Sequence, residues 1–74
     1  MKIYPNPVHN FLSIQLPAKN IFDITITDIT GRQIFKGKKA GPQSQINCAG
    51  FPKGTYFLKA ANNNKTFTEK FTKQ

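Results

Sequence analysis

The 74 residues include one cysteine, one histidine, three acidic residues and no tryptophan. With Cys48 alone no intramolecular disulfide can form, and one His plus one Cys cannot fill a structural tetrahedral metal site. The carboxylates are Asp23, Asp28 and Glu69; no nucleophile–base–orienter trio can be assembled around them, and no glycine-rich phosphate loop precedes a helix. No apolar run approaches the ~20 residues of a membrane helix. No basic-then-apolar start with a small-residue cleavage site is present, so a secretory signal peptide is not expected within this sequence. The length allows one core, too small for a pocket of catalytic size. These absences point to a single non-enzymatic domain without cofactor, metal or membrane insertion.

What is abundant is positive charge. Eleven Lys and Arg against three Asp and Glu give a net charge of +8, and ten of those cations are lysines spread from Lys2 to Lys73. A nucleic-acid binder more often concentrates Arg and Lys on one element, because the guanidinium fork matches phosphates and base edges. Here only Lys36, Lys38 and Lys39 cluster, and a glycine-rich turn accounts for them equally well. A solvated cationic surface is the expectation rather than a polyanion footprint, with acidic partners, including anionic glycolipid, left open and no nucleic-acid partner expected.

Hydrophobic residues make up 38% of the chain, but seven Phe and two Tyr lift it out of the disordered range. Their spacing has a period of two. Leu12, Ile14 and Leu16 share one face, Phe22, Ile24 and Ile26 another, and β-branched residues run unbroken from Ile24 to Thr27. Pro5 and Pro7 bar helix at the start, Pro17 ends the first long strand, and Gln33 to Lys36 resumes as the return arm of a hairpin. Gly37 to Gln43 reads as loop, Gln45 to Cys48 as a short strand with Cys48 in the core, and Thr55 to Ala60 as the best strand. Asn62 to Asn64 reads as a turn using the left-handed region, and Thr66 to Lys73 as a last strand with Phe67 and Phe71 on one face. About seven short strands with turns every 8–12 residues predict a small antiparallel, Greek-key-like β-sandwich.

Four segments stand out. Pro5-Asn6-Pro7 reads as a rigid lead-in that docks the first strand. Asp28-Ile29-Thr30-Gly31 is a tight turn, with Asp28 bonding the backbone ahead and Gly31 taking a positive φ. Gly54-Thr55-Tyr56 places a glycine before the best strand and a tyrosine suited to tying a sandwich corner. Lys70 and Lys73 lie in a last strand that, if frayed, a partner could read.

Taken in order, Tyr4-Pro5-Asn6-Pro7, Asp28-Ile29-Thr30-Gly31-Arg32, Phe51-Pro52-Lys53-Gly54-Thr55-Tyr56 and a Lys-rich final strand resemble the C-terminal sorting domain of type IX secretion in Bacteroidota. The resemblance runs from Ile3 to Lys73. Pro5, Asn6 and Pro7 match the opening motif, Asp28 and Gly31 the hairpin, Gly54 and Tyr56 the late motif, and Lys73 the terminal lysine. Thr66, Thr68 and Thr72 depart from it, since Val or Ile is commoner there, as does Gln74 after the terminal lysine. The resemblance implies an immunoglobulin-like β-sandwich at the end of a cargo protein, acting as an address. It implies transit through the periplasm, recognition by an outer-membrane translocon, removal by a sortase-like protease, and cargo released or anchored at the cell surface. It also implies a chain excised from a larger protein, with Met1 an added start residue.

Two other classes fit the residues less well: a retained adhesion or carbohydrate-binding sandwich, for which Phe11, Phe35 and Phe57 are the few aromatics off the core phase, and a cationic nucleic-acid domain, which the dispersed lysines oppose. An unpaired edge strand or Cys48 would each permit a weak homodimer.

Overall fold

The period-two segments form seven strands. The computed structural model describes residues 1–74 and gives β1 (Lys2–Tyr4), β2 (Phe11–Gln15), β3 (Ile21–Asp28), β4 (Gln33–Ala40), β5 (Gln43–Asn47), β6 (Gly54–Ala61) and β7 (Thr66–Lys73). They make a three-stranded sheet in the order β1-β2-β5 and a four-stranded sheet in the order β4-β3-β6-β7, every neighbour antiparallel. The architecture is the expected small immunoglobulin-like sandwich, with β6 and β3 at the centre of the larger sheet.

Alternation decides what lies between the layers. Leu12 and Ile14 of β2 and Ile46 of β5 face Phe22, Ile24 and Ile26 of β3, Leu58 and Ala60 of β6 and Phe71 of β7, all buried. Val8, Leu16 and Cys48, just outside the strands, close the ends of the same cluster. Each fully buried Leu, Ile or Phe contributes about 1.5–3 kcal/mol by leaving water, so this single cluster is the main favourable term opposing chain entropy.

Two sequence expectations are corrected. Gly37 to Gln43 is not a loop: β4 continues through Ala40 in register with β3, from Ile26↔Phe35 to Ile21↔Ala40, and β5 begins at Gln43. Lys36, Lys38 and Lys39 therefore sit on a paired edge strand, because the eight-residue β3 offers backbone partners that outweigh weak local propensity. Their charge protects that edge from pairing with another chain. The Asn62–Asn64 turn does not use the left-handed region, since the one non-glycine residue with positive φ is Lys19. Instead Asn62 Oδ1 accepts from the Asn64 and Lys65 backbone N–H groups at 2.9 and 2.8 Å, so the side chain holds the turn.

The crossing from one sheet to the other between β4 and β5 depends on Gly41. A Cβ there would run into the Pro17 carbonyl oxygen, while Gly41 N–H donates to the Asn20 carbonyl and Leu16 N–H to the Pro42 carbonyl. Close backbone approach, not a turn conformation, is what requires glycine at this position.

Candidate functional site

The four motifs meet at one end of the sandwich. Register pairs Asp28 with Tyr56, Tyr56 with Phe71 and Gly54 with Lys73, which aligns the end of β3, the start of β6 and the end of β7. The opening motif joins them through the last strand. Val8 N–H donates to the Thr72 carbonyl at 2.8 Å, Gln74 N–H to the Val8 carbonyl at 2.9 Å, and Val8 bridges Lys73 in parallel. Asn6 Oδ1 accepts from the Thr72 backbone N–H at 3.0 Å. The lead-in therefore docks the last strand and not the first, correcting the sequence reading. Thr72 turns its N–H to the side of β7 away from β6, and Asn6 supplies the acceptor that N–H would otherwise lack.

At the β3–β4 turn Asp28 Oδ1 accepts from Thr30 N–H at 2.9 Å, the Thr30 hydroxyl at 2.6 Å and Arg32 N–H at 3.0 Å. Gly31 N–H donates to the Asp28 carbonyl at 3.0 Å, and Gly31 takes a φ of 89°, which glycine adopts at no steric cost. The Thr30 hydroxyl bond, the largest influence, holds the Asp28 carboxyl below its ordinary value of 3.8 with help from the Arg32 and Thr30 backbone bonds and the Arg32 charge, against partial desolvation, the second-largest influence. Arg32 Nε lies 3.4 Å from Asp28 Oδ2.

Tyr56 ties the corner as its position predicts: its hydroxyl donates to the Pro52 carbonyl at 2.6 Å. Its ring lies between Phe51 and Phe71, with centroids 5.4 and 5.6 Å away. Burial, aided by the Asp28 charge, pushes the Tyr56 phenol above its ordinary 10.0. Gly54, at a φ of 151°, lets β6 begin immediately after this corner.

The structure separates residues that the sequence grouped as one address. Tyr56 is 3% exposed and Lys73 7%, so neither presents its side chain to a partner. Lys73 Nζ donates to the Gln74 carbonyl at 2.9 Å, and the end of β7 is paired on both sides, not frayed. Lys70 is exposed, on the opposite face of β7 from Lys73. Pro5, Asn6, Pro7, Gly31 and Gly54 are exposed, and Asp28 is half-buried in its turn. Thr66, Thr68 and Thr72 lie on the same outward side as Lys70, which is why they leave the core intact. Cys48 is fully buried, and burial pushes its thiol above 9.0. A disulfide-linked dimer through Cys48 is thereby excluded for the folded domain.

Sequence reasoning missed Val8 and Gly41. Val8 stands alone among polar residues and prolines, with no period to mark it, yet is fully buried. Gly41 looked like loop punctuation, and its role depends on a contact 24 positions earlier in the chain, with Pro17.

Residues 2–74 match the family described as "Secretion system C-terminal sorting domain". Among curated proteins, the endo-acting ulvan lyase of Formosa agariphila is 34% identical over 68 residues. That match takes in 88% of this chain but 13% of the lyase, so the chain spans about an eighth of its relative's length.

Proposed function

The chain belongs to the secretion system C-terminal sorting domains, and from that membership we propose the route by which it delivers a cargo. It is a non-catalytic C-terminal secretion signal of the type IX system. In the full-length protein it follows a cargo domain, which crosses the inner membrane separately and folds in the periplasm. An outer-membrane translocon then recognises residues 1–74 as a folded unit. A sortase-like protease cuts upstream of the sandwich, and the cargo is released or anchored at the cell surface. The size relation to the ulvan lyase supports a small tail on a much larger protein.

The observation that carries this reading is the convergence of all four motifs on one end of the fold. Asn6, Asp28, Gly31, Gly54, Tyr56 and Lys73 spend their polar groups and special conformations on holding that end together. They act by building the surface that is read, whereas Lys70 and the exposed Pro5 and Pro7 belong to the surface itself.

The test is a fluorescent reporter carrying an N-terminal signal and these 74 residues at its C-terminus. It is expressed in Bacteroidota hosts with and without a working type IX apparatus. Reporter is expected outside the cell only in the competent host. Reporter retained in the periplasm of both would defeat the sorting reading and favour a retained binding module.

A further inference from the structure

The outward face of the four-stranded sheet holds more charge than the fold needs. Lys36 and Lys59 both pair with Thr25, one from each side, so two ammonium-bearing residues flank one threonine on neighbouring strands. At the usual strand spacing their backbones are about 10 Å apart. One row along, Thr27, Phe57 and Lys70 stand side by side. Lys38 is ion-paired with Asp23 at 2.6 Å, and Asp28 is occupied by Arg32. The remaining acid, Glu69, points to the other side of β7 from its neighbour Lys70. Lys36, Lys59 and Lys70 thus have no carboxylate within 4.0 Å, although all three share one face.

Phe57 lies among these lysines, 39% exposed, where the outward phase otherwise carries Thr, Lys or Asp on β3, β6 and β7 apart from Ala61 and, at the far end of β3, Ile21. A single aromatic ringed by charged and hydroxyl groups has the anatomy of a small protein interface: one apolar anchor and a polar rim. So polar a face is unlike the apolar interfaces of permanent complexes. It suits a transient encounter, in which charge steers association and release stays fast.

We propose that this face, with Lys36, Lys59 and Lys70 around Phe57, docks an acidic protein surface bearing an apolar recess for the phenyl ring. The inference rests on the sorting reading, since an export receptor that must bind and then release each cargo is the kind of partner the face fits. A single Phe57 offers no extended aromatic platform on which a sugar chain could stack, which favours a protein over an anionic polysaccharide.

The experiment uses the reporter fusion in the competent host. K36E/K59E/K70E is compared with K2E/K19E/K65E, which reverses three exposed lysines elsewhere and so matches the change in net charge. Export is expected to fall about tenfold or more in the first and to stay near the unchanged fusion in the second, because like charges across an interface are strongly repelled. Both purified domains should keep the Tm of the parent to within a few degrees. A photoreactive phenylalanine analogue at position 57 should yield a discrete protein adduct that disappears when the three lysines are reversed. Equal export by the two triple variants, or an adduct that is polysaccharide or unaffected by the reversals, overturns the proposal while leaving the sorting reading standing. Failure of the unchanged fusion to leave the cell defeats the sorting reading itself.

Discussion

Asn6 and Thr72 are joined by a hydrogen bond of 3.0 Å that spans 66 positions and fastens the opening motif to the last strand. With the Val8–Thr72 and Gln74–Val8 backbone bonds it makes the two ends of the chain one structural unit. The opening and closing segments of the sorting motif therefore stand or fall together.

Asn6→Ala should lower stability by about 1 kcal/mol, or roughly 4–8 °C in Tm, by leaving the Thr72 N–H without its acceptor. Asn6→Asp keeps an acceptor and should recover most of the loss. Thermal unfolding followed by circular dichroism checks both; equal losses would remove the hydrogen bond as the cause.

Tyr56→Phe keeps the ring between Phe51 and Phe71 but strands the Pro52 carbonyl, at a cost of about 1–2 kcal/mol. The raised phenol also sets a pH dependence. A group whose folded pKa lies above its unfolded value contributes stability present below about pH 10 and lost as the pH rises through the folded value. The stability gap between parent and Tyr56→Phe should therefore narrow above pH 10, as measured by urea unfolding along a pH series.

Asp28 works in the opposite direction. Its carboxyl is held below 3.8, so its contribution is present above that pH and is lost as the pH falls through the folded value. Asp28→Ala should be less stable than the parent at pH 7. The two should converge on acidification below pH 3.8, and a constant gap would assign the loss to the turn backbone alone.

Gly41→Ala and Gly54→Val should both destabilise, for different reasons. The first drives a methyl into the Pro17 carbonyl. The second meets open space but places a β-branched residue at a φ of 151°, a strain of order 1–3 kcal/mol. Gly54→Ala should cost less than Gly54→Val, whereas at Gly41 even alanine should lower Tm by several degrees; a neutral Gly41→Ala would contradict the close approach.

Lys70→Glu should change stability by no more than roughly 0.5 kcal/mol, because the side chain is exposed. Lys73→Glu buries a carboxylate at a 7%-exposed position and should cost roughly 2–4 kcal/mol, enough to threaten so small a domain. Deleting Lys70 to Gln74 removes Phe71 from the core and should unfold the chain, so loss of export in that deletion reports on folding as well as on address. Guanidinium unfolding of the three proteins separates the cases.

The strands, their inward residues, the Asp28 turn and the Tyr56 corner were legible in the linear chain because each depends on alternation or on partners a few positions apart. The motif order from Tyr4 to Lys73 was legible for the same reason. What the chain could not display were contacts made at long range. The pairing of Gly37–Ala40 with β3 overrode a glycine- and lysine-rich stretch that reads locally as loop. The burial of Lys73 and Val8 comes from a bridge between the two ends of the chain. Which lysines share a face was settled by cross-strand register, which depends on how four strands align and not on the order of residues along any one of them.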